Sequence, residues 1–318
     1  MSNNDLLIDT LEPNRDPQDG RGVENTLRKF LGVVSIYRWH LSLVIAGAIV
    51  ALAIWELHNL VHGVHLHQIR HELRHLSLDH ALVALAFTGL SFLCLSSQEF
   101  LAIRSIGHAL TFPRVALGSF IAQSISHSTG FNLFVGGGLR ARYYLRFGLT
   151  FGETAAVQLA FSGSFGLAMC ILLGGAMLLD TNVFASAMHL SFALTRAIGL
   201  LAIAVGIVLL VVSMSAKRLT LFGYDFKLPN VRTLIGQTLF SACDLLFLTL
   251  ALHVLLPSEL GVSYSGLLGI VLLAISLGIA SNVPGGLGVF ESVVLALLAP
   301  APALLPAVIS GLLAFRVI

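Results

Sequence analysis

A chain of 318 residues that is 56% hydrophobic and 11% charged, with a mean hydropathy of +0.90, is not built like a soluble domain, where charged residues make up about 25%. Its formal net charge of +2 lacks the basic footprint of a nucleic-acid binder. The three cysteines, Cys94, Cys170 and Cys243, all sit in apolar runs, which excludes a disulfide framework as the organising device. Composition therefore predicts an all-α polytopic membrane protein.

Residues 1–37 are polar, carry Pro13 and Pro17, and offer no apolar core for a cleaved signal. They read as a disordered cytoplasmic tail ahead of a transmembrane domain over 38–318. A crossing helix needs roughly 17–25 apolar residues. That length predicts spans at 39–57, 80–103, 155–179, 196–214 and 233–256. Two further apolar segments, 115–138 and 266–299, are interrupted by glycine and proline, and a last apolar run starts near Ala303. Because that run stops at Ile318 with no flanking tail, the chain reads as the amino-terminal part of a longer protein.

Lysine and arginine placement orients the spans. The tail (Arg28, Lys29, Arg38) and the loop at 215–232 (Lys217, Arg218, Lys227, Arg232) are predicted to be cytoplasmic; the loops at 180–195 and 257–265, with no lysine and no internal arginine, face outward. The loops at 104–114 and 139–153 are both basic. For both to lie inside, segment 115–138 must enter and leave by the same face. By the same logic segment 266–299 dips in from outside. The bundle then holds two broken, re-entrant helix pairs, each following a crossing helix, in opposite orientation. Such an inverted repeat is a transporter arrangement with the site near the midplane.

Polar backbone is tolerated at membrane depth only inside protein or beside a wet cavity. The stretches 126–142 (SHSTGFNLFVGGGLRAR) and 281–291 (SNVPGGLGVFE) are such interruptions and are expected to line one site. A charge at mid-helix costs about 2.5–3.5 kcal/mol on the insertion scale and so faces a partner or a cavity. Four charges meet that description: Glu99, Arg140, Asp244 and Glu291. Glu99 has an alternative, structural partner nearby in Arg104, and Arg140 is also placed to anchor a cytoplasmic loop. Gly136, Gly137 and Gly138, followed by Arg140, Arg142 and Tyr143, suit a phosphate at headgroup level, since backbone N–H groups at a break bind anions; close helix packing is the other use of small residues there. Asn132 in the first stretch, and Asn282, Pro284, Gly285 and Gly286 in the second, complete the candidate substrate-binding set. No catalytic residue and no cofactor are expected.

The segment between the first two spans is rich in histidine (His58, His62, His65, His67, His71, His75, His80) and contains His71-Glu72-Leu73-Arg74-His75, a formal HExxH match. A third ligand motif does not follow, and Leu66, Ile69, Leu73 and Leu76 fall at helical spacing. A helix lying on the membrane surface is the better reading, with no metal site.

With those residues in view, the run from Ser126 through Gly136-Gly137-Gly138-Leu139-Arg140-Ala141-Arg142-Tyr143-Tyr144, followed by Phe147-Gly148-Leu149-Thr150, resembles the signature of the lysylphosphatidylglycerol synthase transmembrane region, the membrane half of the multiple peptide resistance factor. The run 281–291 is similar to that family's second signature, and the likeness extends from about Leu41 to the end of the chain. Glu99 stands where an aspartate is common, and His127 and Gly138 replace more usual residues. The resemblance implies a bacterial inner-membrane flippase. Its cargo would be aminoacylated phosphatidylglycerol, chiefly lysylphosphatidylglycerol, moved to the outer leaflet, with Glu99, Arg140, Asp244 and Glu291 as the functional charges. It also implies a lowered negative surface charge and resistance to cationic antimicrobial peptides. The partners expected are phospholipid and bilayer, with a homo-oligomer compatible and no nucleic acid. A phosphatidylglycerol lysyltransferase activity would belong to a separate domain of a longer parent. Two other readings are a membrane part that mainly docks such a domain, and a transporter of another lipid.

Overall fold

The protein's computed structural model describes residues 66–75, 77–129, 135–215, 218–221, 224–227 and 230–318. All of them belong to one unit, Ile49–Ile318. The tail at 1–37, the expected span at 39–57, His58, His62, His65 and Asn132 lie outside the described residues.

The described chain is helical, with one short hairpin. In order it runs α1 (Leu66–His75), α2 (Leu78–Ser105), α3 (Phe112–Thr129), α4 (Gly137–Tyr144), α5 (Phe151–Leu179), α6 (Thr181–Ala187), α7 (Phe192–Ser215), β1 (Arg218–Leu221), β2 (Tyr224–Lys227), α8 (Val231–Leu255), α9 (Tyr264–Ser281), α10 (Val289–Leu298) and α11 (Leu305–Val317). Among the described residues five helices, α2, α5, α7, α8 and α9, are long and apolar enough to cross a membrane. The expected spans at 80–103, 155–179, 196–214 and 233–256 fall on α2, α5, α7 and α8. Leu200, Leu201, Ile207, Val208, Val211 and Val212 leave one side of α7 exposed and wholly apolar, a surface that only lipid satisfies in a multi-pass protein.

Polar caps set the helix starts. Ser77 accepts the Asp79 N–H at the head of α2, Asn230 accepts the Thr233 N–H at the head of α8, and Ser263 accepts the Gly266 N–H at the head of α9. Thr150 and Glu153 form a reciprocal capping box on α5. The amphipathic stretch read as a surface helix is α1; its contact is with α11, where the Ser310 hydroxyl donates to the Ile69 carbonyl at 3.1 Å. The loop at 215–232 holds an antiparallel hairpin, with Leu219 opposite Phe226 and Leu221 opposite Tyr224. Alternation of apolar and polar residues over 218–227 is the strand signal there; counting charges alone passed over it.

Helices α2 and α8 form the central pair. Ser91 meets Asp244, Gln98 meets Gln237, the rings of Phe87 and Phe247 stack at 6.2 Å, and Ala84 shares a cluster with Ala251. As numbering climbs along one helix it falls along the other, so the two run antiparallel over most of their length. The segments after them match in length as well as order. Helices α3 and α9 each contain 18 residues, each is about 27 Å long at 1.5 Å per residue, and each is followed by a shorter helix.

The first of these segments folds back on α2. Phe112 packs on Phe100 and Phe120 on Phe92, with ring centroids 5.6 and 5.2 Å apart, so α3 retraces α2 from the Ser105 end. It then returns, because Tyr143 donates to the Arg114 carbonyl at 2.9 Å and Tyr144 contacts the Val115 carbonyl at 3.3 Å. Segment 112–144 therefore leaves and rejoins one end of α2, as a re-entrant pair must. Gly118 permits the return: a Cβ there would stand 2.7 Å from the Tyr143 ring. In the second segment α10 folds back on α9, burying Leu267, Ile270, Val271 and Ala274 with Phe290, Val294 and Leu295. Asn282 (φ 53°), Gly285 (φ 60°), Gly286 (φ 59°) and Gly288 (φ 78°) make that reversal in left-handed backbone, which glycine adopts at no steric cost. Helix α3 touches the Pro284–Gly286 turn, so the two interrupted segments meet.

Candidate functional site

Three polar groups of residues lie inside the apolar bundle. The first stands toward the Ser105 end of α2. Glu99 and Arg140 are fully buried, and the Arg140 Nη2 donates to Glu99 Oε2 at 2.8 Å. Arg140 Nη1 donates to Gln158 Oε1 on α5 at 2.5 Å, and the guanidinium lies over the Phe161 ring at 4.7 Å. Tyr144 donates to the second Glu99 oxygen at 2.7 Å. Glu99 is thus neutralised by Arg140 and not by Arg104, whose guanidinium lies over the Phe100 ring. Short helix α4 carries Arg140 here; a Cβ on Gly137 would meet Gln158 at 3.7 Å, an ordinary contact, and one on Gly138 would meet nothing within 4 Å, so close packing does not require glycine at either position. The triplet is helical backbone, with φ −62° at Gly136. Arg142 is exposed on α4, and Tyr143, half-buried, packs against α3 at Gly118.

The second group lies at mid-depth. Position 91 is near the middle of α2 and position 244 near the middle of α8. Ser91 donates to the Asp244 carboxylate. Among the described residues Glu99 and Asp244 are the buried carboxylates, and no basic side chain pairs with Asp244. The aromatic pairing of α2 with α3 puts Ser119 and Gln123, one turn apart on the buried face of α3, at the level of Ser91. Ser241 and Gln237 continue the Asp244 face of α8 at helical spacing. Here several polar atoms are buried without a partner: Gln98 Oε1, Ser119 Oγ, both amide atoms of Gln123, Gln237 Oε1, Ser241 Oγ, and Arg140 Nε in the first group. An orphaned buried polar atom costs about 1–3 kcal/mol, so each such atom in a native protein calls for an explanation.

The third group closes the second break. Arg316 of α11 donates to Glu291 Oε1 at 2.5 Å and to the Gly285 and Gly286 carbonyls. The other Glu291 oxygen accepts the Gly288 N–H at 2.9 Å. Glu291, Gly285 and Gly286 are therefore committed to holding the turn. Asn282 is exposed in its left-handed cap and Pro284 opens the turn.

At the opposite end of α2 from Glu99 lies a cavity of ≈ 650 Å³, lined among others by Glu72, His80, His253 and Glu259. No three His, Cys, Asp or Glu among the described residues are grouped as a metal requires. Reading charges alone missed Gln98, Ser119, Gln123, Gln158, Gln237, Ser241 and Arg316. Their signal was present in the spacing: 119 and 123 on one helix, 237, 241 and 244 on another, fall on single faces of otherwise apolar segments.

No family model matches the chain. It is 29% identical over 244 residues to the inner membrane protein YbhN of Escherichia coli K12, a match covering 74% of each chain. It is 32% identical over 237 residues to the uncharacterized protein slr0712 of Synechocystis sp., covering 74% of this chain and 73% of that one. With that identity spread over nearly three quarters of either chain, and with five helices able to cross a bilayer, the protein belongs to the family of slr0712 as a multi-pass helical membrane protein.

Proposed function

We propose that this protein moves the polar headgroup of a phospholipid between leaflets of the bacterial inner membrane. Aminoacylated phosphatidylglycerol, chiefly the lysyl form, is the cargo to test first. The observation that carries the reading is the set of unpartnered polar atoms on Gln98 of α2, Ser119 and Gln123 of α3, and Gln237 and Ser241 of α8, spread from mid-depth toward the Glu99 end. Hydrocarbon supplies no hydrogen bonds, so such a seam is stable in use only when a polar guest or water fills it. Acyl tails can stay in the bilayer while the headgroup passes, so the protein need shelter only the polar end.

The charge pattern modifies the part each candidate plays. Glu99 and Arg140 neutralise each other, as do Glu291 and Arg316. Among the described residues Asp244 remains the buried carboxylate without a cationic partner and suits an ammonium group, while Arg140 Nε, Arg142 and the α4 head suit a phosphate. The name of YbhN places that relative in an inner membrane. The match covers about three quarters of either relative, so the proposal is made for the membrane unit described here. Movement toward the outer leaflet would lower surface charge and the attraction of cationic peptides.

The test is reconstitution of the full chain into liposomes with fluorescent lysylphosphatidylglycerol, phosphatidylglycerol or phosphatidylethanolamine, followed by dithionite quenching from outside. Wild type should expose inner-leaflet label of the accepted headgroup. Gln123→Leu with Gln237→Leu should slow it about tenfold, the worth of one hydrogen bond. Equal rates in protein-free liposomes, wild type and variant for all three lipids would refute the proposal.

A further inference from the structure

The buried carboxylate at mid-membrane has surroundings that differ sharply in its two directions. Toward the Glu99 end, Ser241 lies one turn away on the same face of α8 and Gln237 a further turn away, with Gln98 across the interface; all three are buried and hold unpartnered oxygens. Toward the other end the Thr88 hydroxyl is spent on the Ala84 carbonyl of its own helix, and the side chains that close the interface are apolar. Phe87 and Phe247 stack, and Ala84, Ala251 and Leu255 close the space behind them. Beyond that apolar plug lies the cavity with His80 and His253. Asp244 thus has a polar approach from one side and a seal on the other.

An isolated carboxylate deep in protein is unstable as an anion unless a partner neutralises it. Among the described residues no cation stands beside Asp244. The Ser91 hydroxyl donates to it, which leaves its charge intact. The titratable and charged groups on the elements packed against it do not change this. Helix α2 offers Cys94 beside it, with Glu99 already paired to Arg140 and Asp79, His80 and Arg104 near the helix ends. Helix α5 offers Cys170 and, at its head, Glu153. Tyr264 of α9 donates to the Leu246 carbonyl, and Arg316 of α11 is held by Glu291. On α8 itself are Cys243, and Arg232 and His253 near its ends.

Resting on the lipid-transport reading, we propose that Asp244 is a proton-binding site that couples headgroup movement to the proton gradient. In the arrangement seen, protons reach it along Gln237 and Ser241 from the Glu99 side. Opening of the Phe87–Phe247 plug would transfer access to the cavity side. A protonated Asp244 is neutral and can stay occluded; a deprotonated one needs water or a cationic headgroup. Proton and cargo ammonium therefore compete for one carboxylate, which links their movements in opposite directions.

The full chain, purified and returned to lipid, is to be titrated from mildly acidic to mildly alkaline pH by infrared difference spectroscopy. The protonated-carboxyl absorption should rise and fall with pH in wild type, vanish in D244N and persist, shifted, in D244E. S91A, which changes no charge, should move the band and keep it, so a folding defect in D244N leaves the site testable. A pH-dependent carboxyl band identical in wild type and D244N overturns the assignment. Loss of the band only on adding Na⁺ at fixed pH, with ²²Na⁺ binding abolished in D244N, also overturns it, because the site then holds sodium. In liposomes an imposed pH gradient should accelerate exposure of labelled lysylphosphatidylglycerol in wild type and leave D244N unresponsive; a gradient-independent wild-type rate overturns the coupling. The infrared band does not depend on cargo, so a lipid assay that fails for every headgroup removes the transport reading and leaves the proton site to be decided alone.

Discussion

Neutralising one member of the Glu99–Arg140 pair should be far more damaging than neutralising both. Glu99→Gln keeps an amide oxygen for the Tyr144 hydroxyl, now 2.7 Å from Glu99, and removes only the charge. The guanidinium of Arg140 then sits fully buried with Gln158 as its hydrogen-bond acceptor and the Phe161 face beside it. Breaking a buried pair in this way costs about 3–5 kcal/mol, whereas replacing both ions by neutral groups is often neutral or favourable. Arg140→Gln is the mirror case, leaving the Glu99 carboxylate with Tyr144 alone. The double variant should therefore recover most of the loss, with a coupling of at least about 2 kcal/mol. Thermal unfolding in detergent micelles, followed by the reactivity of the buried Cys94 thiol, measures all four proteins in one buffer. Additive losses, or single variants within about 1 kcal/mol of wild type, would show that the pair is hydrated or unformed, and the account of the first polar group would fall with it.

Three further outcomes are expected. Gly118→Val should destabilise by about 1–3 kcal/mol, the range for overpacking, because the side chain meets the Tyr143 ring and the Tyr144 hydroxyl; Tyr143→Ala in the same chain should return part of it, and an additive double variant would contradict the contact. Arg316→Ala should open the second break, since Glu291 and two glycine carbonyls lose their donor; protease nicking near 284–288 should increase, while Arg142→Ala, an exposed change, should leave it unaltered. Single cysteines at Arg146 and Glu259, both exposed, should react with a membrane-impermeant reagent from opposite sides, and labelling from the same side would overturn the opposed orientation of the two re-entrant segments.

Most of the scaffold was legible because a bilayer admits few solutions. Length and apolarity fixed α2, α5, α7 and α8, since only a helix satisfies its own backbone in hydrocarbon. Two basic loops flanking 115–138 implied a return to the same face, and the Tyr143 and Tyr144 contacts with residues 114 and 115 show the physical means. Pairing was less legible. Sequence distance favoured Arg104 for Glu99, one turn and a residue away, yet a long-range partner on α4 wins because the pair can be fully enclosed there. Glu291 stood out as an intramembrane acid, but its partner Arg316 is 25 residues downstream on a helix whose contacts no local pattern specifies. Uncharged glutamine and serine were passed over because hydropathy averages hide them; only their recurrence on one helical face marks them.

The internal repeat then separates scaffold from site. Matching α3 with α9 by length sets Val115, Ser119, Ala122, Gln123 and Ser126 against Leu267, Val271, Ala274, Ile275 and Gly278. The shared positions are mainly buried in both helices, so the fold asks the same of each: a face that packs inside the bundle. One copy meets that demand with apolar side chains, as packing alone would choose. The other places two hydroxyls and an amide in the same positions, leaving the Ser119 oxygen and both Gln123 amide atoms without partners. A local choice that opposes stability where its structural twin does not is the mark of a functional site. At the crossing of the two central helices Ser91 of the first meets Asp244 of the second. There too one copy carries a group that folding does not require, and both departures lie on helices packed against α2.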